Sequence, residues 1–241
     1  VLYMITCIVQ ARMGSSRLPG KTMKMITKDK RIIDFVVSQL QSSKLIEKII
    51  IAIPDLNEDN LTYQHLVSKN ISVFRGSTKN VLDRYYQCAK IESSSIIVRI
   101  TADWPLIDPV IVDNVIQKFI ENKFDYVANT HPRTFPYGTE TEVFSFNALE
   151  KAWMETDDDF DREHVTPYFY NNLDKFTIGN FKQENNQSGY RWTVDYEEDL
   201  EFVRFIASNI SKNPILTDDI IELIEKNPDI IKINKKYNLD N

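Results

Sequence analysis

The stretch Ile5-Thr6-Cys7-Ile8-Val9-Gln10-Ala11-Arg12-Met13-Gly14-Ser15-Ser16-Arg17-Leu18-Pro19-Gly20-Lys21 starts as an apolar run and ends as a basic turn rich in serine and glycine. A continuous apolar run of this length suits a strand buried on both faces, as in a parallel sheet. Glycines and serines directly after such a strand let backbone N–H groups converge on an anion, and Arg12, Arg17 and Lys21 add three positive charges within ten residues. Ligands gather at the carboxyl ends of strands in open α/β sheets, so the turn is a candidate phosphate site as well as a solvated connection. Neither common phosphate motif fits. Five residues separate Gly14 from Gly20, against four in the P-loop pattern, and G-x-G-x-x-G is absent.

The rest of the first half repeats the same unit. Residues 31–43 carry Ile32, Phe35, Val36 and Leu40 at helical spacing, and 49–53 form an apolar strand stopped by Pro54. Residues 57–69 read as a helix and 71–74 as a strand. Ser95 to Ile100 is a fourth strand, 110–122 a helix and 124–129 a fifth strand. Alternating β and α elements predict an α/β fold, doubly wound, with a mostly parallel sheet. Further on, 143–146 reads as extended, 147–155 as a helix and 176–181 as a strand. A strand ending at Asp195 leads into a helix carrying Leu200, Val203, Ile206 and Ala207. Residues 217–227 form a last helix, and the tail from Lys232 to Asn241 reads as frayed.

The 241 residues are enough for one large domain with a sizeable core, and the whole chain, 1–241, is read as one. Apolar residues make up 42% and charged residues 27%, ordinary for a globular protein. A net charge of −6 argues against broad nucleic-acid binding, so any anion site is local. Two cysteines, Cys7 and Cys88, are too few for a disulfide framework and read as reduced core thiols. No apolar run approaches the ~20 residues of a membrane helix and no signal peptide opens the chain, which gives a cytoplasmic expectation with no membrane partner.

Three further stretches carry chemistry. Thr101-Ala102-Asp103-Trp104-Pro105-Leu106-Ile107-Asp108-Pro109 leaves the fourth strand with two acids, and a carboxylate there is costly unless paired or bound to metal. Magnesium takes one or two protein carboxylates and completes its shell with waters and substrate phosphates, so Asp103 is a candidate ligand. Asp108, before Pro109, reads as a helix N-cap. Asp195 is either a helix cap or the second carboxylate of the same site. Arg75-Gly76-Ser77 followed by Val81-Leu82-Asp83-Arg84 admits both a surface ion pair and a place near a ligand. The acidic turn Asp157-Asp158-Asp159-Phe160-Asp161 reads as charge at a helix N-terminus. His164 has no second histidine or cysteine at ligand spacing and is not read as a metal ligand.

Seven pieces in order, I-V-Q-A-R-M-G-S-S-R-L-P-G-K, V-F-R-G-S, V-L-D-R-Y-Y, I-V-R-I-T-A-D-W-P-L-I-D-P, E-V-F-S-F, D-R-E-H-V-T-P-Y and R-W-T-V-D-x-x-E-D-L, resemble the cytidylyltransferases that activate sugars and sugar acids. The similarity is to the branch named for spore coat polysaccharide biosynthesis protein F, related to the acylneuraminate and 3-deoxy-manno-octulosonate enzymes, and it covers about residues 4 to 231. It implies a Rossmann-like nucleotidyltransferase fold and transfer of a cytidylyl group from CTP to a sugar, sugar acid or phosphorylated acceptor, with release of pyrophosphate. It further implies that Arg12, Ser15, Arg17 and Lys21 hold the triphosphate beside Ala11 and Gly14, and that Asp103 and Asp195 hold Mg2+. Arg75, Ser77, Asp83 and Arg84 would sit around the nucleotide. The same resemblance gives Arg12, Lys21, Asp103 and Asp195 as the catalytic set and a homodimer as the assembly.

Acceptor recognition is expected from Asn129, Arg133, Tyr137, Glu142, Arg162, His164 and Arg191, mostly within an acceptor and dimerisation segment of about 130–192. Several are cationic, which suits an acidic acceptor. Where relatives carry T-G-D-C-P-L, this chain has Ala102 and Trp104 around Asp103. A glycosyltransferase of similar fold and a non-catalytic nucleotide-binding module are the alternatives.

Overall fold

In a computed structural model that describes residues 3–238, seven strands form one sheet in the order β3-β2-β1-β4-β6-β5-β7. The strands are β1 (Ile5–Gln10), β2 (Lys48–Pro54), β3 (Ser72–Gly76), β4 (Ile96–Thr101), β5 (Tyr126–Ala128), β6 (Glu142–Ser145) and β7 (Ile178–Asn180). All neighbouring pairs are parallel except the two that β6 makes with β4 and β5. The fold is thus doubly wound α/β with a mostly parallel sheet. The first two crossovers, through α1 (Ile32–Leu40) and α2 (Asn60–Ser68), carry the chain outward on one side of β1. The next, through α3 (Val81–Ile91), returns it to the other side as β4. The strand order therefore reverses between β1 and β4, where an open α/β sheet leaves a crevice.

The apolar runs are buried on both faces, as their composition requires. Cys7, Val9, Val98 and Ile100 face α1 and α4 (Pro109–Asn122), while Ile8, Ile50 and Ile97 face α3 and α5 (Phe146–Glu155). Both cysteines are free and buried, and the surrounding core pushes each thiol up from its ordinary value. Asp108 caps α4 with Pro109 in the first turn, its Oδ1 accepting from Val110 N at 2.8 Å. The acidic turn likewise opens α6 (Asp159–His164), where Asp158 accepts from Phe160 N at 2.6 Å, and the short α7 (Pro167–Tyr170) follows it.

A third apolar cluster docks the C-terminal part of the chain beside the first turn. Trp192 and Val194 are fully buried with α8 (Glu197–Asn209) and α9 (Thr217–Lys226) against Leu18, Ile32 and Leu106. Burying each such side chain stabilises by about 1.5–3 kcal/mol. Two sequence expectations are corrected here. No continuous strand precedes Asp195, because Trp192 N bonds Tyr137 O at 2.6 Å whereas Val194 N bonds Asp103 O at 2.8 Å, splitting the segment between two partners. Nor does the tail fray from Lys232: two 3-10 turns carry it to Asn238, Asn234 is buried, and Tyr237 stacks on Tyr196 at 3.8 Å. Residues 239–241 of that tail lie outside the described residues.

Candidate active site

Gln10 and Thr101 end β1 and β4 at the same level, and Ala102 N donates to Gln10 O at 2.9 Å, so both strands release their loops side by side. Between the loops lies a cleft of about 420 Å3. Ala11, Arg12, Ser15 and Lys21 line it from the first loop, Asp103 and Trp104 from the second. Arg84, Tyr137, His164 and Asp195 close the remaining walls.

The first loop curls back on itself. Gly20 N donates to Met13 O at 3.1 Å, and Gly20 adopts φ 64, a left-handed conformation that a side chain would disfavour. Leu18 is buried, which pins the middle of the loop. The 3-10 turn Lys21–Met23 then projects Lys21 inward.

Lys21 is the hub of the site. Its Nζ donates to Asp103 Oδ2 at 2.7 Å, Asp195 Oδ1 at 2.9 Å and Val194 O at 3.0 Å. Burial alone would lower its pKa, but the charges of Asp103 and Asp195 and the hydrogen bonds to them raise it overall. Asp195 shows the converse. Burial pushes its carboxyl up, and Lys21, Arg17 and Arg191 together bring it below the ordinary carboxylate value. Arg17 reaches Asp195 Oδ1 at 2.7 Å and lies 5.5 Å from the centre of the Tyr196 ring. Asp103 Oδ1 accepts from Thr101 Oγ1, so both oxygens of that carboxylate are engaged.

Behind Asp195 stands a buried polar network that sequence reading missed. Arg191 donates to Asp195 Oδ2 at 3.2 Å and grips Asp199 through Nε and Nη2 at 2.8 and 3.0 Å. Asp199 also accepts from the backbone N–H groups of Asp195 and Tyr196. Only the segment E-D-L after Asp195 hinted at it, since an acid in a first helical turn is a usual backbone acceptor.

Among the described residues, no three His, Cys, Asp or Glu side chains form a metal-binding group. The donor set of a magnesium ion that is shared with a nucleotide needs only one or two carboxylates. Asp103 and Asp195 meet that need, and the ammonium between them shows that the pair holds a cation at this point.

The remaining residues singled out in the sequence divide into two groups. Arg12, Ser15, Arg84, Tyr137 and His164 line the cleft. Burial holds Arg84 below the usual guanidinium value, and its Nε donates to Ser77 O at 3.0 Å. Tyr137 is pushed up to about 12, chiefly by burial and then by Glu140, Asp195 and Asp103. His164 is fixed by an unusual turn, in which buried Val165 adopts φ 71 and Thr166 N bonds His164 O at 2.8 Å. Positive φ at a β-branched residue is strained and is held by the surrounding packing.

The others stand outside the lining. Gly14 is exposed beside Glu58. Arg75 pairs with Asp55 at 3.0 Å and Asn60 at 2.6 Å, while Ser77 accepts from Asn80 N. Asp83 accepts from Trp153 Nε1 at 2.9 Å and Gln87 Nε2 at 3.0 Å. Asn129 braces its own loop through Thr139 O and Thr141 N, Arg133 pairs with Glu140, and Glu142 bonds Arg99 and Tyr126. Arg162 bonds Thr156 O and faces Asp157 and Asp159. Gln10, Trp104 and Glu163 line the cleft without having been singled out as site residues, and Gln10 Oε1 is buried with no partner.

Known proteins resemble this chain along most of its length. The sequence profile of the cytidylyltransferase family matches residues 6–227. The chain is 31% identical over 233 residues to spore coat polysaccharide biosynthesis protein SpsF of Bacillus subtilis, covering 93% of this chain and 95% of that one. It is 36% identical over 229 residues to a protein of Methanocaldococcus jannaschii, covering 94% and 93%. A solved cytidylyltransferase from Leptospira borgpetersenii superposes with a TM-score of 0.91 at 35% identity, covering 95% and 97%. A CTP complex of CMP:2-keto-3-deoxy-manno-octonic acid synthetase shares the fold, with a TM-score of 0.63 at 16% identity over 85% and 98% of the two chains. The chain belongs to the cytidylyltransferase family and is a nucleotidyltransferase.

Proposed function

We propose that this nucleotidyltransferase of the cytidylyltransferase family moves a cytidylyl group from CTP to a sugar, sugar acid or phosphorylated small acceptor, releases pyrophosphate, and serves surface polysaccharide synthesis. The observation that carries the reading is the convergence of Asp103 and Asp195 on Lys21 at the mouth of the reversed strand order. A cleft that concentrates arginine and lysine beside two carboxylates suits a triphosphate with its divalent cation better than a neutral ligand.

In this reading Arg12, Ser15, Arg17 and Lys21 take the triphosphate, and Arg84 adds charge from the facing wall. An acceptor oxygen attacks the α-phosphorus in line and the bond to the pyrophosphate oxygen breaks. Lys21 and Arg17 offset the negative charge that builds on the leaving group. The protein contributes position and charge more than covalent chemistry. Mg2+, held by Asp103 and Asp195, would supply Lewis-acid stabilisation of the phosphate oxygens. Tyr137 and His164 lie on the acceptor side, with Arg133 and Arg191 acting through Tyr137, whose ring both approach at 4.9 and 5.3 Å.

The test is pyrophosphate release from each nucleoside triphosphate with Mg2+ against a panel of sugar acids and sugar phosphates. Release that requires CTP and one acceptor class supports the reading. Failure to bind CTP overturns it.

A further inference from the structure

We propose that Asn234, in the C-terminal segment, is a positioning residue for Asp195; the inference rests on the reading of Asp195 as a metal-holding carboxylate. Asn234 lies beyond the region that the family profile matches, residues 6–227, yet it is only 3% exposed. Its Nδ2 donates to Arg191 O and to Asp199 Oδ1, both at 3.0 Å. Both amide hydrogens are thereby committed, and to two members of one network.

The consequence follows atom by atom. Asp199 Oδ1 is held by Arg191 Nε and Asn234, and Oδ2 by Arg191 Nη2 and the N–H groups of Asp195 and Tyr196. This carboxylate is fully buried and cannot turn while all five bonds are made. It fixes the plane of the Arg191 guanidinium, whose Nη2 meets Asp195 Oδ2. Asp195 Oδ1 is thus the oxygen presented to Lys21 and the cleft. Without Asn234, Asp199 Oδ1 and Arg191 O each lose a donor inside a dry environment, and Oδ1 is left with Arg191 Nε alone, so the carboxylate and the guanidinium it grips are held less firmly. Groups that bond a metal-holding carboxylate directly typically change metal affinity or activity by about 10–100-fold when removed, and Asn234, which acts through Asp199 and Arg191, is placed at the lower end of that range.

The test compares wild type with Asn234→Leu, which removes the donors, and Asn234→Gln, which keeps them on a longer arm. Tyr237→Ala serves as control, because it disturbs the same segment through the stacking on Tyr196 and the hydroxyl's bond to Glu198 Oε2 at 3.1 Å without hydrogen-bonding Asp195 or Asp199. Mn2+ is the probe, and its dissociation constant is read with CTP present and no acceptor, from the resonance of the free ion. The kcat, the KM for CTP and the thermal midpoint are measured alongside.

Asn234→Leu is expected to weaken Mn2+ binding and lower kcat by about tenfold each, with the KM for CTP within about twofold. Asn234→Gln is expected to recover most of that loss, and Tyr237→Ala to lower the thermal midpoint while leaving the Mn2+ constant unchanged. If Asn234→Leu does not fold, Asn234→Ser, which keeps one donor, takes its place. Wild-type values for Mn2+ binding and kcat in the folded variant overturn the proposal, as does absence of Mn2+ binding to the wild type. An equal shift in Tyr237→Ala at the same loss of stability also overturns it. If wild type binds Mn2+ and CTP but turns over with no acceptor, the catalytic reading fails, while the Mn2+ constants still decide the role of Asn234.

Discussion

Asp103 and Asp195 are joined through a single atom. Asp103 Oδ2 and Asp195 Oδ1 accept from the same Lys21 Nζ, at 2.7 and 2.9 Å. One ammonium is thus shared by two carboxylates, and the Arg17 guanidinium at Asp195 Oδ1 supplies the second positive charge; in the proposed reading the lysine would pass to phosphate and the carboxylates to a divalent cation.

Replacing either carboxylate removes half of that exchange. Asp103→Asn and Asp195→Asn are each expected to lower kcat by about 100-fold or more, the scale of losing one preorganised electrostatic contact. Pyrophosphate release measured at saturating CTP checks this, and near-full turnover in Asp103→Asn would sink the metal assignment.

The paired charges also set a pH dependence of stability. The carboxyl of Asp195 is held below its ordinary value of 3.8, so the folded state binds fewer protons than the unfolded one in that range. Its contribution is fully present above about pH 4 and is lost as pH falls through the lowered folded value. Lys21 is raised above 10.5, and its contribution is present below that pH and lost as pH rises through the folded value. Urea denaturation at a series of pH values is expected to show a shallower acid limb for Asp195→Asn than for wild type.

Gly138 sets the approach of the Tyr137 loop to the Asp195 segment. It adopts φ 105, and a Cβ there would lie 2.5 Å from Thr193 N and 2.6 Å from the Trp192 carbonyl carbon. Both neighbours are backbone and cannot rotate aside. Gly138→Ala is expected to cost about 2–4 kcal/mol, combining strain at positive φ with overpacking, and calorimetric melting measures it.

Arg75 tests the reach of the nucleotide pocket. Its guanidinium is committed to Asp55, Asn60 and Leu56 O at the outer edge of the sheet. Arg75→Ala is expected to change the KM for CTP by less than about threefold while lowering the melting temperature, since the partly buried Asn60 loses its partner. A rise of tenfold or more in KM would bring Arg75 into the nucleotide site.

Much of this was legible in the sequence, for an identifiable reason. The apolar runs 49–53 and 95–100 became β2 and β4, because strands buried on both faces have no other composition open to them. Asp103 and Asp195 were readable as strand-end carboxylates although the element before Asp195 is not a strand. The network behind Asp195 was not legible: Arg191 was singled out for the acceptor and not for Asp195, and the contact between Asn234 and Arg191 spans 43 positions and leaves no periodic trace. The loop after β5 posed the opposite difficulty. Its polar side chains suggested ligand contacts, yet Asn129 spends its amide on Thr139 and Thr141 and Arg133 its charge on Glu140. A sequence does not distinguish a side chain aimed at a ligand from one that satisfies its own backbone.

The contact between Lys21 and Asp195 bridges 174 residues, and this separation has a consequence during synthesis. At about 5–20 residues per second, roughly ten to thirty seconds pass between emergence of the signature loop and arrival of its second carboxylate. Through that interval the nascent β-α-β half carries an arginine- and lysine-rich turn whose negative counterparts are incomplete. A chain terminated before Asp195 is therefore expected to keep the basic turn without its second carboxylate, and so to bind polyanions more readily than the full chain.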